Sequence, residues 1–166
     1  MTKKIGIISD THGYWDEAFE RYFSSCDEIW HAGDIGNLDV TDQLRKIAPL
    51  IAVYGNIDNN EIRQEFNEDV FVEHNQQKIY LTHIAGKLSN YYERCQNKIK
   101  TFKPTVLVCG HSHICKVAYD KRYNLLYINP GAAGVIGFHK VRTIIRMDIN
   151  ETAIKNLEVI ELKRKG

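Results

Sequence analysis

Residues 3–17 read KKIGIISDTHGYWDE. The apolar, β-branched run from Ile5 to Ile8 predicts a buried strand over residues 3–9, and it stops abruptly at Ser9-Asp10-Thr11-His12-Gly13. A strand that belongs in the core thus carries a carboxylate and an imidazole, two positions apart, at its tip. Working outward, Asp16 is placed to cap a helix through about Phe23, with Trp15, Phe19, Tyr22 and Phe23 as its apolar face. Residues 28–31 predict a short strand ended by Gly33-Asp34. A helix is expected near 39–48, then a strand from Leu50 to Tyr54 ended by Gly55-Asn56. This alternation predicts parallel strands with right-handed crossovers.

The middle of the chain changes character. DVFVEHNQQKIYLTH (residues 69–83) reads as two strands about a polar turn at Asn75-Gln76-Gln77. A helical stretch near 89–102 leads to Pro104, and a strand from Thr105 to Cys109 ends in Gly110. Hairpins are expected over 115–120 with 123–129, and over 140–148 with 153–162. The sum is an α/β protein, read as a single domain over 1–166, with two mixed sheets between helical layers.

Chemistry collects at the predicted strand ends: Asp10 and His12 in SDTHG, Asp34 in HAGDIG, and Asn56 in VYGNID. Later come His83 in YLTHIAG, and His111 with His113 in VLVCGHSHI. Strand carboxyl ends in open α/β sheets lie along one edge, where ligands bind, so these seven groups are expected to converge. They are oxygen and imidazole donors without thiolate, a set suited to Mn²⁺, Fe or Zn²⁺. Seven exceed what one zinc takes, and they suit two divalent ions if a carboxylate bridges. Two such ions bring more positive charge than Asp10 and Asp34 cancel, which favours an anionic substrate such as a phosphate ester.

Composition narrows the alternatives. The net charge is +1, so no broad nucleic-acid-binding surface and no stable nucleic-acid complex is expected. The basic run Lys163-Arg164-Lys165 reads as a solvated end. Cys26, Cys95, Cys109 and Cys115 form no CxxC pair, which suits a reducing cytoplasm. No signal peptide or membrane-spanning stretch is read.

The string SDTHG…AGD…GN…TH…GHSH resembles the calcineurin-like metallophosphoesterases, especially their small bacterial phosphodiesterase branch; YINPGAAG (residues 127–134) extends the likeness. The resemblance implies a four-layer α/β/β/α sandwich. It implies that Asp10, His12 and His113 hold one metal and Asn56, His83 and His111 the other, with Asp34 bridging. It further implies hydrolysis of a phosphodiester small molecule or nucleotide by a hydroxide that two metals activate, with Asn56 and Asp34 as catalytic groups. The ions would be Mn²⁺ foremost, with Fe, Zn²⁺ or Ni²⁺ as alternatives, and a homodimer is implied by analogy. Two other functions stay open: a metal-bearing binding or scaffold protein of the same fold, and a phosphomonoesterase.

Three positions depart from the pattern. Ile57 stands where many relatives carry a histidine that protonates the leaving group. Ile84-Ala85-Gly86 replaces a frequent Gly-His pair, and Ala132 stands where a serine is frequent. Around the ligands, Asp58 is read either as orienting a ligating histidine or as capping a helix from Asn59. His31 is read as structural, with a polar contact to the site as the alternative, and His74 as surface. His139 is peripheral, with reach into the cleft as the alternative. Trp15 is expected in the core, or with Tyr14 as a cleft wall. Cys109 is expected in the core.

Overall fold

The computed structural model describes residues 1–74 and 76–164. Asn75 of the expected turn and Lys165 of the basic tail lie outside the described residues. The first sheet contains β1 (Lys3–Ile8), β2 (Glu28–His31), β3 (Leu50–Ala52), β11 (Arg142–Ile149) and β12 (Ile154–Leu162), in the order β12-β11-β1-β2-β3. Its β1, β2 and β3 are parallel, while β11 and β12 form an antiparallel hairpin against β1. The second sheet runs β4-β5-β8-β10-β9, formed by β4 (Asp69–His74), β5 (Gln77–Thr82), β8 (Val106–Val108), β9 (Cys115–Asp120) and β10 (Leu125–Pro130). Here β5, β8 and β10 are parallel, with antiparallel edges.

Strand alternation makes four layers from these two sheets. On β1, Ile5 and Ile7 meet Ile79, Leu81, Val106 and Val108 between the sheets. Ile8 faces the opposite way, against α1 (Glu17–Phe23), α2 (Leu38–Ile47) and α3 (Asn60–Glu65). Gly6 lies on that same face, where an added Cβ would stand 2.6 Å from the Phe23 ring. α4 (Glu93–Phe102) covers the outer face of the second sheet through Cys95 and Ile99. The expected α/β/β/α sandwich with two mixed sheets is observed.

Asp16 caps α1 as read, by accepting from Ala18 N, whereas α3 is capped one residue later than the Asp58 alternative allowed, by Asn59 accepting from Ile62 N. The helix expected from 89 begins only at Glu93. Residues 86–91 instead form a small hairpin, β6 (Gly86–Lys87) with β7 (Asn90–Tyr91), turned by left-handed backbone at Ser89. β3 is shorter than expected, because beyond Ala52 only an isolated bridge joins Val53 to Asn67. Among the described residues, no helix is long and apolar enough to cross a membrane.

Candidate metal centre

Every candidate ligand sits in a loop just beyond a strand's carboxyl end, and those of β1, β2, β3, β5 and β8 meet along one edge of the sandwich. Five of the seven hold left-handed backbone: Asp10, His12, Asp34, His111 and His113. Asp and His visit this region more readily than other non-glycine residues, yet each such placement costs about 1 kcal/mol or more. Backbone hydrogen bonds between loops enforce it. Asp10 N donates to Gly33 O (3.0 Å), His12 N to Asp34 O (3.0 Å), and Gly110 N to His83 O (3.0 Å). Glycine is required at Gly55, where an added Cβ would lie 2.1 Å from Asp34 Oδ1.

Two clusters result, each with ligand atoms close enough to share an ion: Asp10 with His12 and His113, and Asp34 with His83 and His111. In the first, Asp10 Oδ2 accepts from Ser9 Oγ (2.6 Å) and His111 N (3.1 Å). Its Oδ1 is thereby left facing His113 Nε2 at 3.2 Å. Asp10 Oδ1 and His12 Nε2 are both buried and have no hydrogen-bond partner among the described residues. In the second, Asp34 Oδ1 accepts from Ile57 N, while Oδ2 lies 3.2 Å from His83 Nε2 and 3.5 Å from His12 Nε2. That oxygen stands between the clusters. Asn56 Oδ1 completes the second, 3.1 Å from both His83 Nε2 and His111 Nδ1.

His83 shows what the arrangement needs. Its Nδ1 is 2.7 Å from Ala32 O, so Nδ1 carries the proton and donates. The neutral ring then turns a lone pair at Nε2 toward the lone pairs of Asp34 Oδ2. Only an added proton or a cation resolves that contact. Charges agree: burial opposes ionisation of Asp10, yet His113, His12 and His83 hold its carboxyl well below the usual carboxylate range. Asp10 in turn raises His12. Burial lowers His83, but Asp34 and Asp10 outweigh it and raise the ring above its ordinary value. The site is built for positive charge, and divalent ions fit its oxygen and imidazole donors.

A sequence profile of the calcineurin-like phosphoesterase superfamily domain matches residues 4–152. The chain belongs to this superfamily. It is 34% identical, over 143 residues that cover 81% of this chain and 70% of the relative, to a probable metallophosphoesterase of Methanocaldococcus jannaschii. A Streptococcus pneumoniae protein described as a predicted phosphoesterase shares its fold at TM-score 0.74 and 21% identity, covering 97% of this chain and 90% of the other. Vps29 of Chaetomium thermophilum does so at 0.77 and 16%, covering 96% and 97%. As a calcineurin-like phosphoesterase, the chain belongs among hydrolases that typically depend on divalent metals.

Around the ligands, the supporting residues sort themselves. Asp58 hydrogen-bonds to no candidate ligand histidine and does not cap α3: it accepts from Ile35 N (3.1 Å), Gly36 N (2.9 Å) and Gly55 N (2.7 Å), tying the Asp34 and Asn56 loops together. His31 is buried, bridging Gly33 N and the Thr11 hydroxyl within the ligand loops. His74 is not a free surface group; it is half-buried, stacked on Trp30 and 3.0 Å from Glu28 Oε2. His139 does reach the site, its ring 5.0 Å from that of His113 and its Nε2 donating to Gly134 O. Trp15 is partly buried and packs edge-on to Phe19 at the margin of the core, while Cys109 is buried as expected.

Sequence reasoning missed Asn129. It is buried, and its Nδ2 donates to Gly110 O (3.0 Å) and Ser112 Oγ (3.0 Å), pinning the loop that carries His111 and His113. An asparagine before Pro130-Gly131 was the available signal.

Proposed function

We propose that this calcineurin-like phosphoesterase is a phosphodiesterase dependent on two divalent ions, Mn²⁺ foremost. The observation that carries the reading is the pair of unpartnered, buried ligand atoms, Asp10 Oδ1 and His12 Nε2, in a cluster joined to a second one through Asp34 Oδ2. Asp10, His12 and His113 would hold one ion and Asn56, His83 and His111 the other, with Asp34 shared. Bound there, the ions supply water activation and neutralisation of phosphoryl charge. The chain's own residues fix the geometry. Asn56 Nδ2 has no partner among the described residues and is free to donate to a phosphoryl oxygen as charge develops. Ile57, half-exposed beside it, offers no proton to a leaving group. Diesters with good leaving groups are therefore favoured over alkyl monoesters. The four cysteines are free, which supports a reducing, cytoplasmic setting.

A second reading, a metal-bearing binding protein, is favoured by one observation: Tyr92 and Ile114 stand exposed close to the site. Hydrolysis of bis-p-nitrophenyl phosphate by chelator-stripped protein, with Mn²⁺ added back, separates the two. Turnover that returns with metal supports the phosphodiesterase. Metal uptake without turnover of any diester favours the binding protein.

A further inference from the structure

Beside His111 opens a groove of about 680 Å³, within the range of small-molecule sites. Ile84, Leu88, Tyr92 and Ile114 form its apolar walls, and it reaches the candidate metal centre at Gly110 and His111. The β6–β7 hairpin makes one wall and is held in place from three sides. Tyr92 N donates to Ala85 O (3.1 Å), Gln96 Nε2 to Tyr91 O (2.7 Å), and Tyr127 Oη to Gly86 O (3.4 Å). The groove is preformed. Lys87 lines it from the hairpin and Lys116 from β9. Neither lysine makes an ion pair, and no Asp or Glu lines the groove, among the described residues.

On the other side of Ile84 lies a smaller hollow of about 300 Å³, whose arginines are both hydrogen-bonded to the protein. Arg94 binds both oxygens of Asp69 there, and Arg63 donates to Asp58 O and Asn56 O. Both arginines of the hollow are thus held by hydrogen bonds, and Glu68 lines it as well, whereas among the described residues no hydrogen bond or ion pair engages the side chain of Lys87 or Lys116 in the groove. Two uncompensated ammonium groups suit a dianion, and exposed Tyr92 offers a face for stacking a planar ring.

We infer that this groove binds one arm of the substrate, an arm that carries a planar apolar group and a second phosphate. The inference rests on the phosphodiesterase reading and extends it to substrate class: the scissile phosphate lies at the ligand cluster, the ring against Tyr92 and Ile114, and the second phosphate at Lys87 and Lys116. The departure at Ile84-Ala85-Gly86 then has a role, because these residues form the junction between metal centre and groove.

The test is calorimetric titration of Mn²⁺-loaded protein with thymidine 3′,5′-bisphosphate and with thymidine 5′-monophosphate. Wild type is expected to bind the bisphosphate at least about tenfold more tightly, the worth of one added charge-assisted contact. In the doubly exposed variant Lys87→Ala/Lys116→Ala that preference is expected to fall below about twofold. Equal affinities in wild type, or a preference that survives loss of both lysines, would overturn the assignment. The p-nitrophenyl esters of the same nucleotides separate this idea from the one beneath it. Binding preference without turnover sinks the phosphodiesterase reading and upholds the groove; turnover without preference does the reverse.

Discussion

Asp10 Oδ1 and His12 Nε2 face each other across 3.8 Å, buried, and neither has a hydrogen-bond partner among the described residues. Two unsatisfied polar atoms in a folded interior cost about 1–3 kcal/mol each unless something compensates. A divalent ion bound there would compensate both. Wild type is therefore expected to gain about 2.7 kcal/mol at a metal concentration one hundred times the dissociation constant. For a chain of this size that raises Tm by roughly 5–10 °C. Asp34→Ala, which removes the oxygen between the clusters, should abolish that rise, leave the protein without bound metal by elemental analysis, and lower diester turnover by ~10²-fold or more. Retention of both ions by Asp34→Ala would refute the ligand assignment.

The left-handed backbone at His113 gives a stability test independent of catalysis. His113→Ala and His113→Gly both delete the imidazole, but only glycine takes this conformation without a Cβ clash. In metal-free protein, the glycine variant is expected to be more stable by about 1 kcal/mol in urea unfolding. Equal midpoints would mean that the loop relaxes out of this conformation.

Asp58→Asn should destabilise by about 2–3 kcal/mol, since three backbone N–H groups lose a charged acceptor and one of them meets an amide N–H instead. Denaturation midpoints check this. A loss below half a unit on the same scale, about 0.5 kcal/mol, would show that water takes over the contacts.

His31 ties stability to pH. Burial pushes its pKa down to about 4 from an ordinary 6.5. Between those values the unfolded chain holds a proton that the folded chain excludes. Stability from this group is therefore complete above pH 6.5 and is lost as pH falls toward 4, by up to about 3 kcal/mol. Glutamine keeps one donor and one acceptor without the titration, so the pH slope in that window should be shallower in metal-free His31→Gln than in metal-free wild type. Identical slopes would exclude His31 as the source.

Ile57→His would place an acid beside the phosphoryl position. Turnover of alkyl phosphate esters is expected to rise about tenfold, with p-nitrophenyl esters changed little because their leaving group needs no proton. A uniform change across both ester types would argue that position 57 acts through packing.

Much of this architecture was legible because its signals are local. Asp16 caps its helix by its own side chain, and the Ile5/Ile7 alternation already separates the two faces of β1. The clustering of the candidate ligands was legible because each follows an apolar run ended by a tight turn. What stayed hidden depends on partners distant in sequence. Asp58 looks like a helix cap until the backbone of Ile35 and Gly36 is brought to it, and Asn129 reads only as the end of an expected strand until Gly110 docks against it. The β6–β7 hairpin was missed for a different reason. Two-residue strands have no periodicity to read, and Leu88 to Cys95 offer apolar spacing that a helix would share.

β1 is hydrogen-bonded to β2 on one side and to β11 on the other, so the strand bearing Asp10 and His12 is interior to its sheet. Arg142 follows Ile8 by roughly 130 positions. At ribosomal speeds of about 5–20 residues per second, β1 waits on the order of ten seconds for its second neighbour. Over that interval a nascent chain lacks the completed sheet that fixes the first ligand loop. On the two-ion reading, full ion capture is therefore expected only after β11 has emerged and paired with β1.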